Sequence, residues 1–149
     1  MAIAIRNTAD SRFSHVIPVR YEEVAALSST DGAEGVIDLP GVLPDEWIIS
    51  RAAILVTESF DISGALTLSV GRDGDDDNWV ADATLKSTGV RITNNGGIPE
   101  TEAGSSGSST DTIRLAFNPA SDAALSEIAG GEAFVLLDII NVTNIKLTV

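Results

Sequence analysis

The chain has 149 residues, 22 of them acidic and nine of them Lys or Arg, giving a formal net charge of −13, and it has no cysteine. This length suits one domain, and the lack of cysteine excludes disulfides, thiolate metal sites and a Cys nucleophile. The acidity disfavours a nucleic-acid backbone or an anionic membrane as partner, because like charges repel over a Debye length of about 8–10 Å.

Residues 1–13 show no sustained periodicity and are expected to form an extended arm ahead of a single domain over 14–149. Arg6 and Arg12 give this arm a basic character that the rest of the chain lacks, which suits it to lie along an acidic or polar partner surface. The segment has no basic stretch followed by a long apolar core, so no export signal is expected. From Ser14 the alternation of Ile17, Val19 and Tyr21 with Val16, Pro18 and Arg20 predicts a strand, and Pro18 predicts that it lies at a sheet edge. A helical turn is expected over 22–27 and a short strand over 34–41, stopped by Pro40-Gly41.

Residues 47–60 form the longest extended candidate. Regular alternation would put Ile48, Ala52, Ile54 and Val56 on one face and Trp47, Ile49, Leu55 and Thr57 on the other. Asp61-Ile-Ser-Gly64 is expected to close a hairpin into residues 65–71, where Leu66, Leu68 and Val70 alternate with Thr67 and Ser69. An acidic loop over 72–78, a short strand around Trp79–Leu85 and another at Val90–Ile92 follow. The Gly- and Ser-rich stretch 93–111 predicts a long loop. Strands are expected again over 113–117, 133–140 and 143–149, with a helical turn at 122–128 between the first two.

About eight extended segments with turn signals and no long amphipathic helix predict an all-β, antiparallel two-sheet sandwich of jelly-roll type. An antiparallel sandwich needs one apolar face per strand. Trp47, Ile49 and Leu55 on one strand, and Phe134, Leu136 and Ile140 on another, supply apolar groups to what should be the outer face. These six are the expected subunit interface, since large apolar patches mark contacts between chains.

Catalytic constellations are sparse. His15 is the one histidine, so neither a multi-His metal site nor a conventional triad can form without it. No nucleophile elbow, P-loop or dinucleotide fingerprint is present. Asp73, Asp75 and Asp77 have the spacing that opens a calcium loop, but Asn78 stands where that loop needs glycine and Thr84 where it needs a bidentate Glu. They remain a weak metal candidate, and no cofactor is expected. Trp79 beside the acidic stretch offers a sugar-stacking platform, with a buried anchor as the commoner fate of such a residue.

The succession Ile37-Asp-Leu-Pro40, Ile54-Leu-Val-Thr-Glu-Ser-Phe60, Leu66-Thr-Leu-Ser-Val-Gly-Arg-Asp-Gly74 and Trp79-Val-Ala-Asp-Ala-Thr-Leu85 resembles small jelly-roll virion proteins of tailed bacteriophages that decorate or cement the capsid. The likeness spans residues 35–92, with Gly130-Gly131 and the apolar strand after it matching more loosely. It implies a non-enzymatic protein, made in the host cytoplasm, that sits as a homotrimer on the outer capsid surface. There it would bridge units of the major capsid protein, with no nucleic acid or membrane as partner. A fibre or tail-associated domain binding host glycans through Trp79 is the alternative.

Overall fold

The computed structural model describes residues 4–5, 13–44, 47–72, 74–91, 100–102 and 112–141. Among the described residues ten strands make two antiparallel sheets, and helix is confined to α1 (Tyr21–Ala25) and a 3-10 turn at Leu125–Glu127. The strands are β1 (Ala4–Ile5), β2 (His15–Arg20), β3 (Gly35–Leu39), β4 (Trp47–Glu58), β5 (Leu66–Arg72), β6 (Asp75–Thr84), β7 (Gly89–Arg91), β8 (Glu100–Glu102), β9 (Ile113–Pro119) and β10 (Glu132–Asn141). The large sheet runs β1-β2-β10-β4-β7, with β8 also on β4, and the small sheet runs β3-β9-β5-β6. The chain is therefore an all-β antiparallel sandwich.

The pairing is nested. β2 pairs with β10, β3 with β9, β4 with β7 and β8, and β5 with β6. One long ribbon of paired strands is thus folded across both sheets, and successive strands β2 to β5 alternate between them. The hairpin expected at residues 61–64 is accordingly absent, because this segment crosses from β4 in one sheet to β5 in the other. Backbone bonds hold the crossing: Phe60 N–H donates to Leu85 O and Asp61 N–H to Gly130 O, both at 2.9 Å. Gly131, at φ 135°, passes so close to Phe60 that a Cβ would lie 2.5 Å from its ring.

The core lies between the sheets and is mostly aliphatic, as the scarcity of aromatics requires. Ile17, Ile54, Val135, Leu68, Leu115 and Leu85 are completely buried in it. Two tryptophans from opposite sheets meet there edge to face, Trp47 and Trp79, with ring centroids 5.8 Å apart at 84°. Such a pair adds about 0.5–1.5 kcal/mol beyond the area it buries.

The face assignment of β4 needs correction. Trp47 and Ile49 are fully buried, on the same side as Ala52, Ile54 and Val56. Arg51 pairs with Asp138 and Ile49 with Ile139, so Ser50 is an extra residue on β4 with no partner on β10. This β-bulge shifts the alternation by one. Trp47 and Ile49 therefore belong to the core and not to the expected subunit interface. The polar doublet Ser50-Arg51 inside an apolar run was the available signal.

Three further expectations change. The acidic stretch is a hairpin: Arg72 pairs with Asp75, and β6 begins there. Gly71 makes this possible, because a Cβ would lie 2.1 Å from the Asp75 carbonyl oxygen. Within the loop expected over 93–111, Glu100–Glu102 pairs with Trp47–Ile49. In the arm expected over 1–13, Ala4 and Ile5 pair with Val16 and His15 as an added strand. β1 covers only the start of β2, so among the described residues Pro18 has no neighbour on that side. Arg6, Arg12, Asp73 and the strand expected at 143–149 lie outside the described residues.

Candidate interface on the large sheet

The outer face of the large sheet carries cross-strand rows that the register defines. Phe134 on β10 lies opposite Pro18 on β2 and Leu55 on β4, and Leu55 lies opposite Val90 on β7. Directly opposed residues share a face, so Pro18, Phe134, Leu55 and Val90 form one apolar row across four strands. The next row is Val16, Leu136 and Ala53. After it come Asp138 and Arg51, and then Ile140 opposite Ile48.

β10 alternates strictly along most of its length, with Ala133, Val135, Leu137 and Ile139 buried and Phe134, Leu136 and Asp138 half-buried. Val90 is 56% exposed and Ile140 42%, so solvent reaches both the edge and the end of this face. Of the six expected interface residues, the structure brings Leu55, Phe134, Leu136 and Ile140 together here. It adds Val90 and Pro18, which sequence reasoning missed because only the register reveals that they extend the Phe134 row. Completing the burial of a Phe or Leu side chain is worth about 1.5–3 kcal/mol from fully exposed, and correspondingly less from this half-covered state.

One charged pair interrupts the apolar rows. Arg51 Nη2 lies 3.4 Å from Asp138 Oδ2, and Ser50 Oγ donates to the same carboxylate oxygen at 2.6 Å. The bulge residue thus holds Asp138 in place. The Arg51 guanidinium lies 4.9 Å from the centre of the Phe13 ring, a cation–π contact on the same strand face.

The outer face of the small sheet differs. Its rows combine Val36 with Ala116 and Ser69, Asp38 with Arg114 and Gly71, and Asn118 with Thr67. Arg114 grips Asp38 through two bonds of 2.7 and 3.0 Å. Exposed pairs of this kind contribute about 0–1 kcal/mol. Small and polar groups dominate, so this face has little apolar area to cover.

The chemical candidates separate. Trp79 is completely buried against Trp47, which corrects its reading as a sugar-stacking platform. Asp75 and Asp77 lie in β6. Among the described residues no group of three or more His, Cys, Asp or Glu side chains stands close enough to hold a metal ion. His15 lines a cleft of about 320 Å³ with Gly41, Val42, Leu43, Pro44, Ile139 and Asn141. Its Nδ1 is 2.7 Å from Ser14 Oγ, and Ser14 Oγ accepts the Ile139 N–H at 2.7 Å. Ser14 is thereby engaged in extending the β2–β10 ladder, and partial burial lowers the His15 pKa while the Asp138 charge opposes the shift. Among the described residues no helix is long and apolar enough to cross a membrane. Comparison with protein-family models, characterised proteins and solved structures gives no match.

Proposed function

We propose that this chain is a non-enzymatic virion protein that decorates and stabilises a tailed-bacteriophage capsid, binding the major capsid protein on the outer shell surface as an oligomer. The observation that carries the reading is the apolar row Pro18, Phe134, Leu55 and Val90 on the outer face of the large sheet. A two-layer fold that leaves such a row half-covered is suited to assembly. The nested strand pairing supports the jelly-roll reading on which the resemblance to decoration proteins rests.

The mechanism is linkage. A ligand that binds the assembled shell and not its separated parts stabilises the shell by mass action, and no bond is made or broken. The basic residues of the N-terminal segment, Arg6 and Arg12, are the proposed shell contacts, set against a body whose charge is strongly negative. Addition of the purified chain to heads lacking their own decoration protein should raise the temperature at which they release DNA. Arg6→Ala with Arg12→Ala should weaken that gain. Heads that neither bind the chain nor gain heat resistance would overturn the reading.

A further inference from the structure

The outer face of the large sheet is complementary to itself. Consider a two-fold axis running parallel to the strands between β4 and β10. It places β10 of one copy over β4 of the other, and β2 over β7. Phe134 then faces Leu55, Pro18 faces Val90, and Ile140 faces Ile48, while Leu136 lies over the row of Ala53, which its own neighbours already bury. The same operation sets Asp138 of one copy against Arg51 of the other.

Charge favours a second copy as the occupant. Each chain carries −13, so two copies repel wherever acidic surfaces meet. Among the described residues the central rows carry one cation, Arg51, and one anion, Asp138, which cancel. A face bearing adjacent opposite charges is matched by its own two-fold image, the condition for an isologous contact. Both groups are within reach of another copy, with side chains 45% exposed for Arg51 and 25% for Asp138. Their own 3.4 Å separation is long for a charge-assisted bond, and with Ser50 fixing Asp138 and Phe13 beneath Arg51, each charge is held in place for its counterpart on the other chain.

We propose that two copies of this chain pair face to face through their large sheets, with Phe134 packed on Leu55, Pro18 on Val90, and Arg51 on Asp138 across the contact. This extends the self-association invoked above, and it gives a dimer where the family resemblance implies a trimer. Because the contact is neutral and the bodies are acidic, added salt strengthens it by screening the repulsion between bodies.

Charge exchange tests the pairing in the whole protein. Arg51→Glu leaves the face with two anions and Asp138→Lys leaves it with two cations. Each variant alone should sediment as a monomer, and an equimolar mixture should recover the mass of two chains, since Glu then meets Lys and Asp meets Arg. Val90→Glu alters an exposed side chain and should weaken pairing, while at concentrations too low for either chain to pair it should melt at the same temperature as the unaltered chain. A mixture that stays monomeric, variants that associate as the unaltered chain does, or an unaltered chain that is monomeric would each overturn the proposal. A trimeric mass would overturn it too while leaving capsid decoration standing. A dimer that ignores decoration-free heads would sink that reading and leave the pairing intact.

Discussion

Two positions show how single atoms hold this fold. Asp82 adopts a left-handed conformation, φ 48°, within the irregular stretch where Val70 pairs with Val80 and Leu68 with Ala83. Its N–H donates to the hydroxyl of buried Ser69 at 3.0 Å. Ser69→Ala would leave that amide without this partner and should cost about 1–3 kcal/mol, read from denaturant unfolding. Asp82→Gly suits the same backbone and should change stability by less than about 1 kcal/mol. Equal losses for both would refute this division of roles.

His15 gives the chain a readable pH dependence. Burial lowers its pKa below 6.5 in the folded state, so between the folded and unfolded values the unfolded chain binds more protons. Its contribution to stability is complete above 6.5 and is lost as the pH falls through that value toward the folded pKa. His15→Gln should flatten the stability change between about pH 7.5 and 5.5. As the chain holds one histidine, its titration can be followed by NMR without ambiguity. Asp138→Asn should move the midpoint lower still, because the Asp138 charge favours the protonated ring.

Among the elements, β4 is the most instructive. Its twelve residues place Trp47 and Ile49 in the core because Ser50 is looped out opposite β10. Deleting Ser50 joins Ile49 to Arg51, the residues that already face Ile139 and Asp138, and so yields a regular strand with the same side chains buried. The deletion variant should fold with Trp47 still shielded, at a cost near that of the lost Ser50–Asp138 bond, about 1.5–3 kcal/mol for a bond to a charged group. Solvent-exposed tryptophan fluorescence in this variant would show that the bulge is doing something else. Period-two reasoning was sufficient for β5 and β9, where apolar residues alternate with polar or small ones, whereas on β10 both faces are apolar and Asp138 alone marks the outer one. It failed on β4 because one inserted residue inverts every assignment on one side of it. The sheet crossing at residues 61–64 was illegible for another reason, since a turn signal marks a change of direction and not the sheet in which the chain continues. The outer-face residues Leu55, Phe134, Leu136 and Ile140 were found because each sits in an uninterrupted stretch. Val90 and Pro18 join them only through register, which depends on pairings between segments distant in sequence.

For the whole molecule, two opposed properties decide behaviour. The body is acidic enough to keep copies apart, while one face of one sheet carries apolar rows around a cancelled charge pair. Association through such a face should respond to salt in the direction opposite to contacts built from ion pairs. It should also vanish when a carboxylate is placed in the row, with no loss of the core formed by Trp47, Trp79 and their neighbours. Sedimentation velocity of the unaltered chain and of Phe134→Glu, from nanomolar to high micromolar concentration, addresses this most directly. The unaltered 15.5 kDa chain should rise to a multiple of its own mass, more readily in added salt, and Phe134→Glu should remain a folded monomer. An unaltered chain that sediments as a monomer across that range, or a variant that associates equally well, would contradict assembly through this face.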